Sequence, residues 1–222
     1  MNYIYLSYNL NENSPVYGGG KSLRVEQIKN MELGDTCNTQ NWELPNHLGT
    51  HIDAPKHFAI SGISIEDFKA DFWVSIKPYW INIETVRKNK ILTSNHLDYF
   101  NIPEDIDLLL IKTGFGAWRE DESYNCENPG FAPEMADYLR SNFSNLKMIG
   151  FDVISLSSFA SRDLGKQAHK KFLDHEKPIL PIEDMDLSSL GSGVALKKVF
   201  IVPLRVQGAD ASPCTVLGEI SI

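Results

Sequence analysis

The sequence predicts a mixed α/β fold, rich in strands and carrying a few helices. Three observations lead there. Short runs of β-branched and aromatic residues, bounded by Gly, Pro, Asn and Asp, recur along the whole chain. Two segments of helical character interrupt those runs, which argues against an all-β sandwich. The stretch "LLLI" at 108–111 is apolar without alternation, the pattern of a strand buried on both faces.

In chain order, "YIYLSYNL" (3–10) and "SLRVEQI" (22–28) read as strands, separated by "NENSPVYGGGK", whose proline and three glycines mark a loop. "PYWINIETV" (78–86), "IDLLLIKTG" (106–114), "KMIGFDVIS" (147–155) and "LKKVFIVPLRV" (196–206) read as further strands, and "CTVLGEISI" (214–222) as the last. Helices are expected over "APEMADYLRSNF" (132–143), with Pro133 near its start, and "SRDLGKQAHKKFLDHE" (161–176), with Ser161 or Asp163 as N-cap. No internal repeat or linker divides the chain, so residues 1–222 read as a single domain.

Composition narrows the function classes. With 222 residues, 42% hydrophobic and 23% charged, the chain can bury a full core and is not a disordered segment. Its net charge of −8, without a Lys/Arg-rich patch, leaves no footprint for nucleic acid. No apolar run approaches the roughly 18 residues of a membrane span. The opening "MNYIYLSYNLNENSP" lacks the basic and long apolar regions of a signal peptide. Cys37, Cys126 and Cys214 are far apart and form no CxxC pair, so neither a disulfide framework nor a zinc–thiolate site is indicated. A cytoplasmic enzyme or binding protein acting on a small molecule is the expectation.

Half of the six histidines fall in "HLGTHIDAPKHF" (47–58). His47 and His51 are four apart, the spacing of helical HExxH sites, yet Leu48-Gly49-Thr50, Ile52 and Pro55 are poor helix material. As extended chain, residues 47, 49, 51 and 53 share one face. His47 would then lie about 13 Å from His51, too far for ligands of one ion at roughly 2 Å. A metal site therefore requires a bend, and Gly49 is the residue able to make it. Pro55 fixes the backbone beyond, and His57 follows on the same odd-numbered set, placed for proton transfer near neutral pH. Histidine and carboxylate without thiolate indicate zinc or manganese in a catalytic site. The competing reading is a set of half-buried polar residues hydrogen-bonded to backbone in a turn.

These residues closely resemble the HxGTHxDxPxHF signature of the cyclase-like metal-dependent hydrolases, the family that includes bacterial kynurenine formamidase and isatin hydrolase. "KTGFGAWR" (112–119), "NPGFAPEMADYL" (128–139), "IGFDVISL" (149–156) and "GADASPCTVLG" (208–218) continue the resemblance in the family's order. It implies a three-layer swivelling β/β/α domain, a homo-oligomer (dimer or tetramer), and hydrolysis of an amide, formamide or lactam C–N bond. It also implies metal ligands at His47, His51 and Asp53, with Asp53 able to bridge two ions, and a catalytic histidine at His57. A later histidine and glutamate would complete a two-metal site, and the matching stretch "AHKKFLDHEKPILPIEDMDL" places them at His169 and Glu183.

The residues themselves place His169 inward, beside the apolar stripe Leu164, Ala168 and Phe172 while Lys166, Lys170 and Lys171 lie toward solvent, a position that a core histidine with one hydrogen bond would share. Glu183 follows "PILPI" at a strand end and reads as close to solvent. The spacing from His169 to Glu183 is about two residues longer than in the formamidase-like branch, which leaves His175 as a rival ligand. Formamidase-like members carry a Pro-Gly-Asp turn near the N-terminus where this chain has "PVYGGGK", a difference that bears on substrate choice and not on the metal chemistry.

Elsewhere, His96 reads as a surface helix residue, and Asp152 and Asp210 as strand-end residues that cap a turn or support a ligand histidine, turn capping being the commoner role. Trp73, Trp80 and Trp118 read as core or as walls of a pocket for a flat substrate. "GGG" at 18–20 lacks the GK[ST] ending of a phosphate loop. The combined expectation is a metal-dependent amidohydrolase, one or two ions per chain, using metal-activated water with His57 as proton shuttle. The alternatives are a non-catalytic metal or small-molecule binding protein on the same fold, or a dehydrating cyclase using the same metal site.

Overall fold

The computed structural model describes residues 2–83 and 86–221. Met1, Glu84, Thr85 and Ile222 lie outside them, and so do the parts of the strand readings over 78–86 and 214–222 that include the last three. Among the described residues the chain forms, in order, β1 (Asn2–Tyr5), β2 (Arg24–Lys29), β3 (Thr39–Glu43), β4 (His51–Asp53), β5 (Val74–Ser75), β6 (Pro78–Asn82), β7 (Ile91–Leu92) and β8 (Leu108–Lys112). There follow α1 (Ser123–Cys126), β9 (Gly130–Phe131), α2 (Glu134–Asn142), β10 (Met148–Phe151), α3 (Arg162–Leu173), β11 (Leu180–Glu183), β12 (Ala195–Pro203) and β13 (Ala211–Ser221).

Nine strands join one mixed sheet in the order β5-β12-β13-β4-β11-β10-β8-β6, with β1 paired to β13 as well. The stretch β11-β10-β8-β6 is parallel. The rest is antiparallel. Of the parallel strands, β8, β10 and β11 are buried on both faces, as the unbroken apolar run at 108–111 predicts, while β6 at the end of the row is mostly half-buried. Helices α2 and α3 bury Met135, Ala136, Leu139, Ala168, Phe172 and Leu173 in the core those strands share.

Strand β13 belongs to both halves of the sheet: residues 211–213 pair with β4, and later ones pair with β12 and β1. The Trp80 indole on β6 donates to the Val194 carbonyl just before β12, 2.9 Å away, so the far ends of the sheet come together. One large mixed sheet whose ends approach each other, with a few helices packed on it, gives the strand-rich mixed α/β class expected. No helix among the described residues is long and apolar enough to cross a membrane.

Local differences have plain causes. The strand expected over 3–10 stops at Tyr5, because Ser7 leaves β13 to bridge Met185. Strand β3 escapes sequence reading because "TQNWE" is polar; it pairs only with β2, as an arm whose residues are almost all exposed. Ser161, not Asp163, stands at the N-cap of α3, although its side chain makes no capping hydrogen bond. His96 is half-buried in a 3-10 turn, capped by Thr93.

One buried ion pair fixes the turn that follows β11. Asp184 holds a φ of +50°, unusual for a residue with a side chain. Arg119 grips its carboxylate through two bonds of 2.8 and 2.7 Å, and the Tyr124 hydroxyl adds a third at 2.7 Å. Thr50, just before β4, donates to its carbonyl. Removing the guanidinium leaves a carboxylate buried without its charge partner. Arg119→Ala is therefore expected to cost about 3–5 kcal/mol. Urea denaturation measures it, and a loss below about 1 kcal/mol would mean Asp184 finds another partner.

Candidate metal centre and active site

Strand β4 lies between β13 and β11, and its register builds the centre of the site. His51 pairs opposite Glu183 on β11, while Asp53 pairs opposite Ala211 on β13. Two residues apart on one strand, His51 and Asp53 share a face, and Glu183 joins it from directly across. Gly49 supplies the bend upstream: its φ is +64°, and a Cβ there would meet Leu10 at 2.3 Å. The bend folds His47 back until its ring centroid is 5.2 Å from that of His51.

Helix α3 brings His169 from the other side. Its Nε2 lies 3.6 Å from Asp53 and 3.4 Å from Glu183. The Nε2 of His51 lies 3.6 Å from Asp53 and 3.4 Å from Glu183, and His47 Nδ1 stands 3.1 Å from Asp53. Two of these rings are held from behind. His51 Nδ1 donates to the Gly49 carbonyl at 2.8 Å, and His169 Nδ1 to the Gly165 carbonyl at 3.0 Å. Both therefore present Nε2 to the carboxylates, the arrangement of a supported ligand histidine.

His51 Nε2 and both oxygens of Asp53 are buried and complete no hydrogen bond. A buried carboxylate without a donor is expensive to keep, and a cation is the partner that would relieve it. Donor atoms of His47, Asp53 and His57 lie within 4.8 Å of one another, and so do those of His51, Asp53 and Glu183. Asp53 belongs to both groups. Nitrogen and oxygen donors in such clusters fit a divalent metal ion.

The structure thus gathers His47, His51, Asp53, His57, His169 and Glu183 around one cavity of about 590 Å³. His175 is elsewhere: it is exposed, accepts a bond from the Lys177 amide and faces a different hollow. The expectation that Glu183 lies near solvent is corrected, since it is 4% exposed, closed in by the neighbouring strands and helix. Trp73, Trp80 and Trp118 do not line this cavity.

Asp210 takes the less common of the two roles expected for it, supporting histidines and not capping a turn. Its Oδ2 accepts from His57 Nδ1 at 3.0 Å and lies 3.2 Å from His47 Nε2, while Asn46 donates to Oδ1 at 2.7 Å. Its neighbours in sequence give no hint of this, because the partners come from more than 150 positions away. Asp152 does cap a turn, accepting from Thr113 N, Thr113 Oγ1 and Gly114 N. Ser157 Oγ lies 3.2 Å from His169 Nδ1, and the Leu156 amide donates to Glu183 at 2.7 Å.

Protonation follows from this crowding. Burial works against charge on His47, but Asp53 and Asp210 outweigh it and raise its pKa to about 9. Burial likewise opposes charge on His51 and His169, and Glu183 with Asp53 overrides it, raising both. In return those imidazoles hold Glu183 and Asp53 below the usual carboxylate range against their burial. His57 goes the other way. Burial lowers it, and the charges of His47 and His169 add to that, more than Asp53 and Asp210 oppose it.

The Cyclase family model matches residues 4–158. Cyclase-like protein 3 of Oryza sativa subsp. japonica is 25% identical over 191 residues, covering 82% of this chain, and this chain spans 66% of that protein. Kynurenine formamidase of Bacillus cereus is 28% identical over 221 residues, covering 95% of this chain and 94% of its own. Isatin hydrolase A from Labrenzia aggregata superposes with a TM-score of 0.78 at 21% identity, covering 98% of this chain and 93% of its own. That last likeness is one of fold.

The raised imidazoles set a pH dependence for metal uptake. Below its pKa of about 9 the His47 ring carries a proton that a metal ion must displace. Metal uptake at neutral pH is therefore expected to release protons, and affinity to rise with pH until about 9. Calorimetry in two buffers of different ionisation enthalpy measures the release. Uptake without it would show that these imidazoles are not ligands.

Proposed function

The chain belongs to the Cyclase family, and from that premise we propose that it is a metal-dependent hydrolase of a C–N bond in a small amide, formamide or lactam. The observation that carries this reading is the placement of the His57–Asp210 pair beside a buried His/Asp/Glu cluster, all opening on one cavity. The metal would be zinc or manganese, held by His47, His51 and Asp53 with His169 and Glu183. When bound, it supplies Lewis acidity toward water and toward the substrate carbonyl.

The remaining steps belong to the chain's own groups. Asp210 accepts the Nδ1 proton of His57, which leaves Nε2 as the nitrogen free to take another. Lowered in pKa, that imidazole is neutral at physiological pH and ready as a base. His57 takes a proton from water at Nε2 and returns it to the leaving nitrogen. Phe58 lies against His169 with ring centroids 4.7 Å apart, and with Ile154 it gives the cavity an apolar wall.

A homo-oligomer, dimer or tetramer, belongs to the same reading. The β2–β3 arm supports it, since Ile28, Met31, Leu33 and Trp42 are all exposed there and a two-stranded ribbon is marginal alone.

Two substitutions test the proposal. His57→Ala is expected to keep metal and lower turnover of aryl formamides or cyclic amides by roughly 10²- to 10⁴-fold. Loss of metal together with activity would make His57 a ligand, a role its grouping with His47 and Asp53 permits. Glu183→Gln is expected to halve metal content if two ions share Asp53. Unchanged content by elemental analysis would leave a single-ion centre. A metal-loaded wild type that turns over no amide would overturn the hydrolase reading itself.

A further inference from the structure

The cavity that holds the cluster carries a second group of side chains, set on the loop 16–21 and the start of α3. Arg162 lines the cavity from the first turn of α3. Its guanidinium carbon lies 3.7 Å from the centre of the Phe159 ring, and its Nη2 is 3.9 Å from where a Gly18 Cβ would stand. The fork is thus held between an aromatic face and a backbone. Gly18, with φ at +68°, lets the Phe159 ring come close, since a Cβ there would meet that ring at 2.9 Å.

Among the described residues this guanidinium has no carboxylate and no hydrogen-bond acceptor as partner. The other two lysine or arginine side chains lining the cavity do have one: Lys21 lies 3.5 Å from Glu43, and Lys166 lies 3.1 Å from Asp163. Nor does Arg162 serve its helix, because a cation in the first turn opposes the helix dipole. Beside it, Tyr17 meets Phe159 edge-on, with centroids 5.6 Å apart. The Tyr17 hydroxyl is buried close to the Ser157 side chain and completes no hydrogen bond in the structure.

A positioned guanidinium and a partnerless hydroxyl donor share one preferred ligand, a planar oxyanion. We propose that Arg162 and Tyr17 form a subsite for a carboxylate carried by the substrate, so that the substrate is a small amide bearing a carboxylate away from the bond to be cleaved. This rests on the hydrolase reading above. Arg162, Lys166 and His169 fall at i, i+4 and i+7 along α3, one face of the helix. Arg162 and His169 are about 10 Å apart along its axis, which sets the scale of the molecule that reaches both. The net charge of −8 does not oppose such a ligand, because a local cation decides the potential within the cavity.

The test uses two probes of matched shape, formanilide and 4-formamidobenzoate. Binding is measured by calorimetry on metal-loaded protein carrying His57→Ala, which separates affinity from turnover. This parent is expected to bind the carboxylate probe about tenfold or more tightly than the neutral one. Adding Arg162→Ala should abolish the preference, and adding Tyr17→Phe should reduce it. Arg162→Lys should recover only part, since an ammonium lacks the fork. Arg162 is exposed and Tyr17→Phe removes only a hydroxyl, so these variants keep the fold. An unchanged preference in Arg162→Ala, or no binding of the carboxylate probe to the parent, overturns the subsite. Turnover by wild type without an Arg162-dependent preference sinks the subsite alone. An Arg162-dependent preference without turnover keeps the subsite and sinks the hydrolase reading.

Discussion

Burying Asp53 and Glu183 side by side obliges the fold to supply positive charge at the same place. Both carboxylates are almost wholly shielded from water, and neither oxygen of Asp53 completes a hydrogen bond. Two like charges so close cannot both persist without neighbours of opposite sign. Three imidazoles provide them when protonated, which is why His47, His51 and His169 are raised together while the acids are lowered. A divalent ion can replace several of those protons at once. Protons and metal are thus competitors for one electrostatic vacancy created by the sheet.

The sheet can hold this arrangement because β4 is short and flanked on both sides. Three residues, His51, Ile52 and Asp53, carry ladder bonds to β11 and β13 while Ile52 enters the core on the opposite face. Register alone then sets His51 against Glu183. The bend at Gly49 and the Arg119–Asp184 pair act just outside that ladder, one returning His47 to the cluster and the other fixing the chain where it leaves Glu183. Such supports spend ordinary packing and ion pairing on holding polar groups within a few tenths of an ångström, as a reactive centre requires.

How much of this is legible without coordinates depends on whether the signal is local. The segment 47–58 carries its ligand spacing, its bend and its proline within twelve residues, so the site can be read there directly. His169 is visible through helical periodicity, because the buried stripe and the exposed lysines of α3 define an inward face. Glu183 is reached only through the family resemblance, and Asp210 only as one of two alternative roles. A carboxylate at a strand end is commonly solvated, and only the strand order brings β4 beside β11 and Asp210 beside His57. Strand β3 escapes for another reason: "TQNWE" is almost wholly polar and shows no apolar period.

The division between strands and loops also separates chemistry from selection. His51, Asp53 and Glu183 stand on ladder-bonded strands, where a shift of one residue would turn each side chain to the opposite face. Tyr17 and Arg162 stand on a loop and at a helix start, where side chains can be exchanged without disturbing the sheet. A chain can therefore keep its metal-binding floor and change the rim that greets the substrate. In this protein the rim offers a guanidinium and a hydroxyl. The floor needs cations to balance it, and the rim is already cationic, so a substrate anion is drawn to the rim and its uncharged amide is left to reach the floor.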